Sequence, residues 1–275
     1  MEAIITILVE NKSGEGLLSE HGLSMWIETE GRRILFDTGQ GPALEPNARA
    51  LGIDLSTADT LVLSHGHYDH TGGIPSVLRQ APHLDVYYHP GVFLTRYAIR
   101  ENKAKSIGMP QPARETLETV PTEQIHLVDR PLMLTEHVGL TGPVPRLTDY
   151  EDTGGPFFLD QQGTRADLIE DDMALWVNTA QGVVVCMGCA HAGAVNTLHY
   201  IHTLTDHAPI RAVMGGFHLM SAGHERLERT VGALRLLQPE MLAPCHCTGD
   251  SAVALLRERL GGSVLPAATG TVFRF

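Results

Sequence analysis

Thr60-Leu-Val-Leu-Ser-His65-Gly-His67-Tyr-Asp69-His70-Thr-Gly-Gly73 sets an apolar run against three imidazoles and a carboxylate. The run Leu61–Leu63 reads as a buried strand. Gly72, Gly73 and Pro75 then turn the chain into a helix over Pro75–Gln80. His65 and His67 project from one side of an extended turn, and Asp69 and His70 face the other way. Neutral imidazole and carboxylate suit Zn, Fe, Mn or Ni and leave positions open for water and substrate. The cluster predicts two divalent metal ions, zinc with iron or manganese as alternatives. Such a pair makes a nucleophile and stabilises a leaving oxygen. A ligand loop at the C-terminal end of a strand is where open α/β sheets place their sites.

Ile4–Val9, Leu23–Glu28, Arg33–Phe36 and Val86–Tyr88 read as further strands of the first half, with a helix over Pro42–Leu51 that stops at Gly52. The second half repeats a strand–helix rhythm. Its strands are Ala174–Asn178, Val183–Met187, Ala212–Met214, Met241–Ala243 and Thr271–Phe275. Its helices are Ala192–Leu204, His224–Leu237 and Ser251–Leu260. Two halves, each a sheet with helices, predict an α/β fold of the four-layer αββα type, facing sheets with helices outside. Periodicity weakens over 90–131 and 142–172, where prolines and glycines accumulate. These segments read as lids or insertions in a single domain spanning 1–275.

The pattern His-x-His-x-Asp-His after a buried strand resembles the metallo-β-lactamase-fold hydrolases. Ile34-Leu-Phe-Asp37-Thr-Gly39 resembles their first motif, a strand ending in Asp-x-Gly. Gly188-Cys-Ala-His191-Ala-Gly193, Gly215-Gly-Phe-His218 and Pro244-Cys-His246-Cys-Thr-Gly249 resemble one branch, the 7,8-dihydropterin-6-methyl-4-(β-D-ribofuranosyl)aminobenzene-5'-phosphate synthase-like family. The resemblance runs from about Ile4 to the C-terminus. It implies His65 and His67 on a first metal and Asp69 and His70 on a second, with His191 and His246 completing the set. Asp37 is implied to orient ligands or loop amides. His218 is a ligand or a proton donor, and its two preceding glycines let backbone pass close to another group. His137 is the alternative to His191. Most of the superfamily carries an Asp bridging both metals, in a Gly-Asp turn, where this chain has Gly188-Cys189. Either Cys189 replaces that carboxylate, or His191 serves, or only one metal binds tightly.

The 275 residues carry a formal charge of -12, and 5% of them are aromatic. So acidic a chain is a poor candidate for nonspecific nucleic-acid binding and favours a small-molecule substrate. No apolar stretch approaches the roughly 20 residues of a membrane span. Met1–Glu10 lacks a basic start and a small-residue cleavage site, so it reads as a first strand, and reduced thiols in the cytoplasm are expected. The four cysteines allow a rival structural zinc on Cys186, Cys189, Cys245 and Cys247, although Cys245-x-Cys247 is tight for a knuckle. Arg96, Arg100, Lys103 and Lys105 either clamp an anionic substrate or form a solvated helix face. His21, His83, His89, His126 and His224 show no partner pattern.

The expected activity is metal-dependent hydrolysis of a small ester, phosphodiester or lactone by a metal-activated hydroxide, with Asp69 and His218 as catalytic groups. A non-hydrolytic pterin or ribose-phosphate synthase, a di-iron redox enzyme and a binding protein that has lost catalysis are the alternatives.

Overall fold

A computed structural model describes residues 2–275; Met1, the first residue of the expected first strand, lies outside them. Along the chain run β1 (Ala3–Val9), β2 (Ser24–Thr29), β3 (Arg32–Phe36), α1 (Leu44–Ala50), β4 (Thr60–Val62), α2 (Tyr68–Thr71), α3 (Ile74–Gln80) and β5 (Asp85–Tyr88). Next come β6 (Tyr97–Arg100), β7 (Lys103–Ser106), α4 (Gln111–Leu117), β8 (Ile125–Leu127), β9 (Leu132–Met133), β10 (Val138–Leu140) and β11 (Phe157–Phe158). The remainder is β12 (Ala174–Thr179), β13 (Gly182–Met187), α5 (Ala194–Leu204), β14 (Ile210–Gly216), α6 (His224–Leu237), β15 (Met241–Cys245), α7 (Asp250–Leu260) and β16 (Val272–Arg274).

The strands form a seven-stranded sheet, β16-β1-β2-β3-β4-β5-β8, and a six-stranded sheet, β15-β14-β13-β12-β10-β9. Period-two alternation sorts their side chains between two faces. Ile5, Ile7, Met25, Ile27, Ile34 and Phe36 meet Leu140, Leu175, Val177, Val184, Cys186 and Met214 between the sheets. The other face of the first sheet, with Trp26, Leu35 and Leu61, packs on Leu44, Val77 and Leu117 of α1, α3 and α4. The outer face of the second, with Trp176, Val185 and Val213, packs on Leu198, Val231 and Leu256 of α5, α6 and α7. The result is the four-layer αββα sandwich.

Parallel pairing decides where the site falls. β3 and β4 are parallel with Phe36 opposite Val62. β13, β14 and β15 are parallel with Met187 opposite Gly215 and Gly216 opposite Cys245. The segments that leave these strand ends therefore emerge on one edge of the sandwich. Gly215 is required there: at φ +117°, an added Cβ would lie 1.9 Å from the Met187 carbonyl oxygen.

The two segments expected as lids behave differently from one another. Gln111–Leu127 belongs to the main architecture, since α4 packs on the first sheet and β8 extends it beside β5. The rest of 90–131 and the loop 142–172 meet in a small sheet of order β11-β6-β7. Arg96–Lys105 is thus not a helix face. It runs from the residue before β6 through the turn and most of β7, and Arg96 is fully buried. The extended turn read at the histidine cluster also needs correction: His67 is extended, but Tyr68–Thr71 is a helical turn that carries Asp69 and His70.

Candidate metal centre

Five strand ends deliver the site. Asp37 follows β3, His65 follows β4, Cys189 and His191 follow β13, His218 follows β14 and His246 follows β15. Asp37, Ala190, His218 and His246 hold positive φ, 60°, 50°, 48° and 51°. Non-glycine residues pay about 1–2 kcal/mol for that conformation, so the surrounding contacts force each strand to turn and aim its side chain inward.

Asp37 organises the floor. Its Oδ1 accepts from Ser64 N at 2.7 Å, and its Oδ2 accepts from Ser64 Oγ at 2.6 Å and from His70 Nδ1 at 2.7 Å. With its own proton directed to Asp37, Ser64 Oγ accepts from His65 Nδ1 at 2.9 Å. His191 Nδ1 donates to the Thr153 carbonyl at 2.8 Å, and His246 Nδ1 donates to Asn11 Oδ1 at 2.9 Å. In each ring the outer nitrogen holds a proton, so Nε2 presents a lone pair inward whenever the imidazole is neutral.

Those inward atoms converge. His70 Nε2 lies 3.3 Å from His246 Nε2 and 3.2 Å from Cys189 Sγ. His65 Nε2 lies 3.0 Å from His67 Nδ1, and Asp69 Oδ2 lies 3.5 Å from His246 Nε2. Donors about 2.0–2.1 Å from a tetrahedral ion stand about 3.3 Å apart, so these spacings suit coordination. His67 Nε2 and His191 Nε2 are buried without a hydrogen-bond partner among the described residues. Buried acceptors facing acceptors are costly unless a cation or proton lies among them. The donor set therefore fits divalent metal. His65–Cys189–His191 and His70–Cys189–His246 are each compact enough to hold an ion. Cys189–His218–Cys247 and His21–Asp69–His246 are compact in the same way.

The electrostatics leave His65, His67, His191 and His246 neutral and Asp69 ionised, the forms in which such groups bind metal. Burial, reinforced by neighbouring cationic groups, pushes His65 and His191 well below the ordinary imidazole range. Burial does the same to His67, against the opposing pull of Asp69. Burial lowers His246 to about 4. Among the imidazoles His70 and His218 go the other way: burial opposes the charge on both, but Asp37 raises His70 to about 9 and Cys247 raises His218. Burial also opposes the charge on Asp69, yet the His21 hydrogen bond and the surrounding imidazoles hold its carboxyl well below the usual range. Burial raises the Cys189 thiol, and hydrogen bonds from Cys189 and His218 lower Cys247 in spite of burial.

A buried ion-pair cluster fixes the loop from behind. Asp171 Oδ2 accepts from the amide of Gly66, between His65 and His67, at 2.8 Å. Arg96 Nη1 donates to the same oxygen at 3.0 Å, and Arg96 Nε donates to Asp167 at 2.8 Å. Arg96 is thus internal, not a cleft cation. The remaining cations of its hairpin do reach the cleft. Arg100, Lys103 and Lys105 line a cavity of about 650 Å³ together with His67, Asp69, His191, His218 and His246. Phe157 stands in the same wall, 5.5 Å between ring centroids from both His67 and His191.

His65, His67, Asp69, His70, His191, His246, His218 and Cys189 are all brought together, with Asp37 beneath them. His137 is not: it pairs with Glu30 at 3.7 Å, at the opposite end of β3 from Asp37. The four-thiol zinc is not formed either. Strand alternation puts Cys186 in the inter-sheet core, and Cys245 packs there as well, leaving Cys189 and Cys247 at the centre. Two participants lie outside the expected ligand set: His21, which has no local signal, and Cys247, which the sequence offers only as a thiol of the structural zinc. His21, from a glycine-rich loop, reaches Asp69 Oδ2 at 3.1 Å. Cys247 joins Cys189 and His218.

The sequence profile of the metallo-beta-lactamase superfamily matches residues 20–164. An uncharacterised protein of Methanocaldococcus jannaschii, MJ0448, is 33% identical over 93% of this chain and 94% of its own length. The 7,8-dihydropterin-6-methyl-4-(beta-D-ribofuranosyl)-aminobenzene-5'-phosphate synthase of the same organism is 28% identical over 94% of this chain and 90% of its own length. The crystal structure of Tm1679, described as a metal-dependent hydrolase of the beta-lactamase superfamily, superposes with a TM-score of 0.83 at 32% identity and covers 98% of both chains. With the His-x-His-x-Asp-His loop on the shared edge of an αββα sandwich, the chain belongs to the metallo-beta-lactamase superfamily.

Proposed function

We propose that the protein is a metal-dependent hydrolase of a small anionic ester, a phosphodiester in preference to a neutral ester or lactone. The observation that carries this reading is the convergence of imidazole, carboxylate and thiol donors on the floor of a cleft walled by Arg100, Lys103 and Lys105. His65, His67 and His191 would hold one divalent ion, and Asp69, His70 and His246 a second. The donors suit zinc, and iron or manganese share the nitrogen and oxygen set. When bound, the ions lower the pKa of a coordinated water toward neutrality and polarise the substrate oxygen.

The chain's own groups supply the rest. Asp69 stays ionised and orients the attacking water, with His21 hydrogen-bonded to its Oδ2. His218 stands 4.4 Å between centroids from the His191 ring, and its position in the cleft wall lets it donate a proton to the leaving oxygen. Phe157 gives the cleft an apolar wall beside His67 and His191. The hairpin cations hold the anionic group of the substrate.

The second reading is a synthase acting on a pterin or ribose phosphate. The full-length likeness to a relative of that name supports it, as does the His218–Cys247 pair, which simple hydrolysis does not require. Chelator-stripped protein reloaded with zinc or manganese would be assayed on bis-para-nitrophenyl phosphate, para-nitrophenyl acetate and a lactone. Metal-restored phosphodiester cleavage is expected, with Lys103→Gln and Lys105→Gln raising KM more than they lower kcat. Metal-loaded protein inert toward all three substrates would sink the hydrolase reading. Tight native iron with a redox-active spectrum would favour the redox alternative.

A further inference from the structure

Cys189 Sγ belongs to three of the compact donor sets, one of them with His218 and Cys247, whereas no imidazole among the described residues belongs to more than two. It groups with His65 and His191 on one side and with His70 and His246 on the other, within 4.8 Å in each case. It is the donor common to the two sets, and it lies 3.2 Å from His70 Nε2. The side chain is buried, at 3% exposure, and the turn that carries it is fixed on both sides. Ahead of it, Gly188 runs so close to the floor that an added Cβ would lie 2.1 Å from Ser64 Oγ. Behind it, the Ala192 amide donates to Asp172 Oδ2 at 2.8 Å. His191 Nε2, in the first of the two sets, is buried without a partner among the described residues and marks that side as needing a cation.

We propose that Cys189 is a bridging thiolate, a ligand to both metal ions at once. This rests on the two-ion reading of the centre. The chemistry favours it on charge. Two dications a few ångströms apart repel, and an anion between them offsets that repulsion more effectively than a neutral imidazole. A coordinated thiol gives up its proton outright, so loading the bridge releases that proton to solvent and forms two metal–sulfur bonds without any redox change. Among the described residues, Asp69 is the carboxylate in the compact donor groups, and it sits with His21 and His246 on one side.

The test uses the full chain, stripped with chelator and titrated with cobalt(II), for wild type, Cys189→Ser, Cys189→Asp and Cys247→Ser. In wild type, the near-ultraviolet thiolate-to-cobalt absorption should grow through both the first and the second equivalent. Cys189→Ser should lose the band and retain no more than one tight equivalent. Cys189→Asp should lose the band yet recover two equivalents, which also shows that the variant protein is folded. Cys247→Ser should keep the band. A wild-type band that saturates at one equivalent would overturn the bridge, because a terminal thiolate contacts one ion. So would two tight equivalents in Cys189→Ser, or a band that follows Cys247 instead. Metal-dependent hydrolysis with an unchanged band in Cys189→Ser would remove the bridge alone. A Cys189-dependent band over two equivalents without hydrolysis would remove the hydrolase reading and leave the bridge standing.

Discussion

His70 Nδ1 donates to Asp37 Oδ2 at 2.7 Å, and both residues are fully buried. That contact joins the end of β3 to the helical turn after β4, and it turns His70 Nε2 toward His246 and Cys189. The same carboxylate fixes Ser64 and, through it, His65. One acidic residue therefore orients an imidazole in each of the two donor sets.

Asp37→Asn should consequently weaken metal binding without removing a ligand. Loss of a group that orients ligating histidines costs about 10–100-fold in affinity. A competition titration against a chromophoric chelator reads it directly. Wild-type affinity in the variant would show that Asp37 does not orient the ligands.

Metal uptake by the stripped protein should depend steeply on pH. Asp37 raises His70 to about 9 against the opposing effect of burial. An imidazolium with a raised folded-state pKa stabilises the metal-free protein fully below about pH 6.5 and loses that contribution as pH rises through its folded value. Metal needs the same nitrogen free, so apparent affinity should rise with pH up to about 9, at about tenfold per unit for each proton released. Asp37→Asn should flatten the slope. Isothermal titration in buffers of different ionisation enthalpy counts the protons, and a pH-independent affinity with no proton release would refute the assignment.

Arg96 should matter to stability more than to charge in the cleft. It is wholly buried and pairs with Asp167 and Asp171, which would otherwise be uncompensated charges. Removing one partner of such a buried pair costs about 3–5 kcal/mol. Arg96→Met should lose that much in urea denaturation. Arg96→Lys should recover only part of it, because a point charge cannot serve both carboxylates as the planar fork does. A wild-type midpoint in Arg96→Met would show the cluster to be energetically idle.

His67→Ala should lose at least one metal equivalent and nearly all activity, since its Nε2 is buried without a partner among the described residues and its Nδ1 faces His65. Cys186→Ala should leave metal content unchanged, because that thiol packs between the sheets. Elemental analysis after dialysis decides both. Full metal content in His67→Ala, or a lost equivalent in Cys186→Ala, would redraw the centre.

Much of the architecture was legible because it is written in local periodicity. The runs at Ile4–Val9 and Val183–Met187 predict strands that the structure realises as β1 and β13. Weak signals failed where tertiary contacts override them. Arg96 reads as a surface cation because Arg100, Lys103 and Lys105 follow it. Its two carboxylate partners lie 71 and 75 residues away, and no local pattern announces them. His21 is invisible for the same reason, being brought to Asp69 by a loop without periodicity.

The αββα layers were readable from the strand–helix rhythm, and the candidate donors from the His-x-His-x-Asp-His spacing together with the motifs that carry the family resemblance. Only the tertiary structure decided which donors share a centre: His191 but not His137, Cys189 and Cys247 but not Cys186 and Cys245. Parallel strand register sets those choices by carrying the segments after β3, β4, β13, β14 and β15 to one edge. That register comes from burying two sheet faces against each other across the whole chain, a constraint that no short stretch of residues contains.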